Sequence, residues 1–447
     1  MKTKVFHLVL VFVLAASMAG CSLGGDQTLT PLPPVSSNEL DIVSAFAFTD
    51  QWGWYNVAGE IQNNTGAALT SIELTIEIRD ASGNSLLKDD NGGAVESLKF
   101  SPLLYTLAPG QYAPFSYSFD TSVGIPASYN VTVTGHTTGQ ADRADIIVEN
   151  AEMVDDGGGM FYLSGVLVNQ GSGWAHINSL AGAGLDSNSQ VLTADWTATY
   201  TTELAPAGDA SGRDRTPFSV GFPVPVGAEV TGWAVYTDAD VVDAPTDYAL
   251  AVNITNRYFD GWNSYHVVGT VTNNSPERLH TLLVGGLYAG DGTTLDATWS
   301  FIPVFIEPGA TIPFDMSSFG SVNWSTKQAS RVDRATVQVD PWSTYPSSWE
   351  VVALAASNEQ VVKNGADWTF IGSVTNNSGQ ALSGETVIVA VHDAQGNLVA
   401  SSYSYVTPDG DAIANGQTSA YEVSVYLDPA ADTAGYTTQT IVQGDVK

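Results

Sequence analysis

Five histidines lie beyond residue 21: His136, His176, His266, His280 and His392. A catalytic or metal centre would need some of them at ligand spacing, or beside a nucleophile motif. No two are so spaced, and the chain has no HExxH motif, no GxSxG motif and no Cys/His cluster. The five therefore read as ordinary polar residues. Strand parity puts His266 and His392 on outward faces. Carboxylates are abundant, with 47 Asp and Glu, so sequence does not exclude a pair flanking a glycosidic bond. Short inter-strand loops leave little from which to build such a cleft. The expectation is no catalysis and no cofactor. Acids also crowd the turns "KDDNGG" at 88–93, "DDGGG" at 155–159 and "PDGD" at 408–411. None follows the D-x-[DN]-x-[DN]-G calcium loop, so they read as solvated turn acids and no metal is expected. If calcium did bind, Asp155 and Asp156 would hold it near a repeat junction.

Aromatic residues carry the sharper possibility. "TDQWGWYN" at 49–56 and "RYFDGWNSYH" at 257–266 hold Trp52, Trp54, Tyr258, Phe259 and Trp262. The strand pattern described below explains Tyr55 and Tyr265 but not these five. Exposed on loops, they would stack on sugar rings. The competing expectation is that they plug the end of a sandwich or pack at a domain junction.

These side chains need a scaffold, and the composition points to its class. The chain has 447 residues, one cysteine, 14% charged residues and a net charge of −32. Thr, Val and aromatics suit pleated half-buried surfaces; Gly and Asn suit turns. This is an exported all-β composition. The acidity argues against nucleic acid as a partner. "MKTKVFHLVLVFVLAASMAGC" reads as a signal peptide over residues 1–20, and its apolar run is too short to span a membrane. Ala19-Gly20-Cys21 resembles a bacterial lipobox, with Met18 where that pattern usually has Leu. The resemblance implies diacylation of Cys21, a membrane partner through that lipid, and an envelope location outside the cytoplasmic membrane. Residues 21–38, rich in Gly, Ser, Thr and Pro, read as a tether.

Beyond the tether the sequence repeats. Gly59, Gly165, Gly269 and Gly372 each precede an Asn by four positions: Asn63, Asn169, Asn273 and Asn376. Around each glycine an aromatic, an apolar residue (Val57, Leu163, Val267 or Phe370), the Gly, an aliphatic and the Asn recur at period two. That is a strand with one buried face, ending in a turn. The glycine lets a neighbour approach closely, and the Asn bonds its own turn. A second strand, a hairpin such as "DAQGN" at 393–397, a turn such as "IEPGATIPF" at 306–314 and a closing strand follow in the same order. About seven strands per hundred residues predict immunoglobulin-like β-sandwiches. The expected divisions are 39–140, 141–244, 245–345 and 346–447.

The order G-x-[IV]-x-N-x-[ST], a strand ending in D-x-x-G, then PG-x-x-x-PF resembles the FxLYD domain. This is an extracellular module found on lipoproteins. The naming motif is degenerate: "IEIRD" at 76–80, "GAGLD" at 182–186, "GGLYA" at 285–289 and "VAVHD" at 389–393. Only Leu287-Tyr288 keeps the Leu-Tyr pair. The resemblance implies four tandem Ig-like sandwiches and supplies no catalytic residues. The resulting expectation is a non-catalytic, lipid-anchored spacer, scaffold or protein-binding array. The alternative is a carbohydrate-binding surface protein using the Trp-rich loops.

Overall fold

The computed structural model describes residues 40–446 apart from 90, 140–142, 198–200 and 407–411. The signal peptide, Cys21, the tether and the "PDGD" turn lie outside the described residues. All described residues belong to one compact unit, Leu32–Lys447.

Each anchor strand is the centre of a three-stranded antiparallel sheet. Trp54–Asn63 lies between Leu40–Thr49 and Tyr112–Asp120, and Met160–Asn169 between Ile146–Asp155 and Arg215–Pro223. Tyr265–Asn273 lies between Leu250–Phe259 and Thr311–Met316, and Asp367–Thr375 between Ala356–Asn364 and Thr418–Tyr426. A second sheet packs on each, centred on Leu69–Arg79, Trp174–Leu185, Leu282–Ala289 and Leu382–His392. Each centre is flanked by a closing strand (Ser128–Thr138, Gly232–Val242, Val332–Val339, Thr437–Val446) and by an edge strand (Leu98–Phe100, Val191–Thr197, Thr294–Phe301, Leu398–Tyr405). The fold is thus all-β and sandwich-like. The helices Gly320–Trp324 and Thr326–Ala329 are five and four residues long, too short to leave a period in sequence.

The period-two face points into the cores. Tyr55, Val57, Ile61 and Asn63 are all buried. At Gly59 an added Cβ would lie 2.2 Å from the Ser44 carbonyl oxygen and 2.4 Å from the Phe115 ring. At Gly269 it would lie 2.3 Å from the Asn253 carbonyl oxygen and 2.6 Å from the Phe314 ring. The rings that fill these notches are the aromatics closing "LAPGQYAPF" and "IEPGATIPF". Phe218 and Tyr421 stand the same way over Gly165 and Gly372.

The four asparagines reach further than their turns. Asn273 Nδ2 donates to the carbonyls of Glu277 (2.7 Å) and Ile306 (2.8 Å), and its Oδ1 accepts from the Ser275 amide and hydroxyl. Asn63 does the same with Ala67 and Leu107, Asn169 with Gly173 and Ala205, and Asn376 with Gln380 and Ile413. Each staples its turn to the segment leading into the Pro-Gly or equivalent turn. Every polar atom of the buried side chain is satisfied, as burial demands.

The repeats join in one recurring manner. The edge strand Val191–Thr197 docks on all three strands of the preceding three-stranded sheet; Thr294–Phe301 and Leu398–Tyr405 repeat the arrangement. Ala58 is buried against Ala183, Val191 and Ala194. Tyr288 packs on Val166 and Val168. Tyr258 and Val268 join the core of the fourth repeat, while Ile388 joins that of the third. Polar bonds cross the same seams. Tyr236 donates to Glu60 at 2.7 Å, Arg331 pairs with Glu152 at 2.7 Å, and Asn256 donates to the Val399 carbonyl at 2.9 Å.

Candidate ligand-binding cleft

The histidines and acids that could do chemistry are held by structure. His266 has the outward parity expected of it, but the fourth repeat covers that face. It is buried, with Nδ1 2.8 Å from Asp315, Nε2 3.3 Å from Asp260 and the Tyr258 ring stacked at 4.8 Å. Burial opposes its charge. Hydrogen bonding and attraction from Asp315, then Asp260, outweigh that and raise its pKa above the ordinary value. Asp260 is also committed to its hairpin, accepting from the amides of Trp262 and Ser264. Asp155 and Asp156 cap their own turn by accepting from Gly157, Gly158 and Met160 amides. That hairpin meets the tip of the first, where Gln51 donates to the Gly158 carbonyl.

The five aromatics singled out in sequence divide into two groups. Trp52, Trp54 and Trp262 are exposed, Trp262 by 70%. Tyr258 is only 6% exposed and donates to the Tyr426 carbonyl across the junction at 2.7 Å. Phe259 turns to the core and meets Tyr265 edge-on at 4.7 Å. Tyr258 therefore offers no stacking surface to solvent, because the neighbouring repeat covers it, and Phe259 is half-buried against the sandwich core.

A different aromatic group surrounds a cleft of about 550 Å³ between the third and fourth repeats. Phe301, Phe305 and Tyr345 line it from one side, Tyr405 from the other. The rings form a continuous series. Trp299 meets Phe301 at 5.4 Å, Phe301 meets His280 at 5.3 Å, His280 stacks on Tyr345 at 5.1 Å, and Phe305 leads to Trp349 at 6.5 Å. On the other side, Tyr405 pairs edge-to-face at 5.5 Å with Tyr403 of the same strand. Trp299, Phe301, Tyr345, Trp349, Tyr403 and Tyr405 are all exposed.

Polar groups sit among the rings. Glu385 and Asp445 line the cleft on adjacent strands, where Gly384 pairs with Asp445. Burial raises the pKa of both, that of Glu385 to about 7. Burial lowers that of His280, so its ring is neutral at pH 7. A second cavity, about 310 Å³, lies between repeats two and three and is lined by Trp174, Glu203, Arg213 and Tyr248.

Sequence reasoning passed over the cleft aromatics, although a signal was present. "WSF" at 299–301 and "YSY" at 403–405 are aromatic pairs two residues apart, at one place in two repeats. Register makes the equivalence firm. Trp196 pairs with Ala181, Trp299 with Val284 and Tyr403 with Ile388, each five residues before its hairpin turn. All three side chains are exposed, by 57%, 41% and 45%.

No protein-family model and no curated protein matches the chain. Among solved structures, red sea bream transglutaminase is 13% identical over 44% of this chain and 31% of its own, with a TM-score of 0.16. The native E. coli alpha-2-macroglobulin is 11% identical over 89% of this chain and 28% of its own, at 0.13. Salmonella alpha-2-macroglobulin reacted with methylamine is 12% identical over 90% and 31%, also at 0.13. The chain spans under a third of the length of each, and scores this low assign neither fold nor function.

Proposed function

We propose that this chain is a non-catalytic scaffold of the bacterial cell envelope, anchored by lipid on Cys21 and built from FxLYD-like repeats. The observation that carries the reading is the uniform docking of one edge strand onto the preceding sheet at each of three seams. Buried apolar contacts and cross-seam hydrogen bonds restrict relative motion of the repeats, as a presenting arm requires. The lipid and the acidic body suit a protein held at a membrane and repelled from its anionic surface.

Small-angle scattering on the full-length chain in detergent tests the scaffold. A profile reproduced by one rigid arrangement supports it; a profile requiring an ensemble of repeat orientations rejects it. Labelling with an alkynyl fatty acid in a bacterial host tests the anchor, with Cys21→Ala expected to lose the label.

A second reading, carbohydrate binding at the hairpin tips, is favoured by the exposure of Trp52, Trp54 and Trp262. Large aromatics held at turns without a covering element are stacking surfaces.

A further inference from the structure

We infer that the cleft between the third and fourth repeats is a binding site for a neutral glycan chain. The cleft combines what a pyranose ring requires. The rings of Tyr345, Phe301 and Tyr405 stand exposed around it, Tyr345 with His280 stacked on one face, and suit the apolar C–H side of a sugar. Glu385, Asp445, Ser383 and Thr386 lie between them and match the hydroxyls on the ring edge. At about 550 Å³ it has the size of a ligand pocket. Trp299, Trp349 and Tyr403 continue the aromatic surface beyond it, so the ligand is a chain rather than one sugar.

Charge narrows the class further. The protein carries −32, and the acidic groups of the cleft, Glu385 and Asp445, face no Lys or Arg in its lining, so uronic or sulfated glycans are disfavoured. Burial also raises both carboxyl pKa values. A basic proline-rich peptide is the other class of occupant of aromatic grooves, and the titration below separates it from a glycan.

The position is not accidental to one seam. Trp196, Trp299 and Tyr403 occupy one place in three repeats and emerge from the strand that docks on the preceding sheet. The fold puts an aromatic on the rim of each seam, and at the third seam other rings gather around it.

Calorimetric titration of the full-length chain with neutral hexasaccharides of glucose, mannose and N-acetylglucosamine tests the site. Saturable binding to one of them is expected, weakened about tenfold or more by Tyr345→Ala and by Tyr405→Ala. Trp342→Ala, whose side chain meets His176 edge-on instead, should bind as the parent does. Scattering profiles of the variants, expected to be unchanged, separate loss of the site from loss of the scaffold. Three results would overturn the inference: no binding to any hexasaccharide, binding abolished by Trp52→Ala or Trp262→Ala but not by the cleft variants, or capture of a basic proline-rich peptide in the glycan's place.

Discussion

Gln443 and Phe305 exchange two hydrogen bonds across the third seam: the Phe305 amide donates to Oε1 at 2.8 Å, and Nε2 donates to the Phe305 carbonyl at 3.0 Å. A side chain of the fourth repeat thereby completes the backbone of the third. Gln443→Ala leaves both backbone groups without that partner, at a cost of about 1–3 kcal/mol. Hydrogen exchange should quicken at the Phe305 amide, with little change at distant amides such as Ile61. Unaltered protection at Phe305 would mean the seam does not depend on this pair.

Asn273 should be among the least replaceable residues. Asn273→Ala removes the donor shared by the Glu277 and Ile306 carbonyls and the acceptor for Ser275. Burial of those groups puts the loss at about 3 kcal/mol. Urea unfolding followed by fluorescence gives the value. Asn64, which bonds only Asp41 at an exposed site, should tolerate alanine with a change within about 0.5 kcal/mol.

Gly269→Ala tests the notch. Its Cβ would collide with backbone at Asn253, which moves less readily than a side chain. The expected cost is about 1–3 kcal/mol. Gly66→Ala is the control, since no atom lies within 4 Å of the added carbon. Equal midpoints for the two variants would reject close approach as the reason for the glycine.

Stability should fall as pH rises above neutrality. The His266 pKa is raised in the folded chain, from an unfolded value near 6.5. Its contribution is complete below that value and is lost as pH rises through the folded pKa. Asp296, fully buried and accepting from Val322 and Ala297 amides, is pushed by burial to about 7, so its ionisation lowers stability as pH rises to about 7 and no further. The urea midpoint should therefore be lower at pH 9 than at pH 6. Asp296→Asn should flatten that slope, and His266→Gln should flatten it further.

The anchor strands were legible because period two fixes which side chains share a face. The aromatic, the aliphatics, Gly59 and Asn63 all fell on the buried side by spacing alone. Parity also gave His266 its outward face. What covers an outward face is a matter of tertiary contact, and no local period encodes it, so the burial of His266 and Tyr258 by the fourth repeat was not readable. The reach of Asn273 to Ile306 was hidden for the same reason: the turn is local and the staple is not. The ring series from Trp299 to Trp349 spans five sequence segments, and only its repeated pairs at 299–301 and 403–405 left a trace.

Sheet edges are where one chain templates another, and the docking strands bear on that hazard. Val191–Thr197, Thr294–Phe301 and Leu398–Tyr405 are edges of seven, eight and eight residues, each docked against its neighbour. The equivalent edge in the first repeat, Leu98–Phe100, is three residues long. It places Lys99, paired with Glu73 at 2.9 Å, where the others carry Trp or Tyr. Brevity and a lysine are the usual defences of an uncovered edge against aggregation. Breaking a seam would strip the longer edges of their cover while leaving them no such guard, so a seam variant should self-associate more readily than the parent chain.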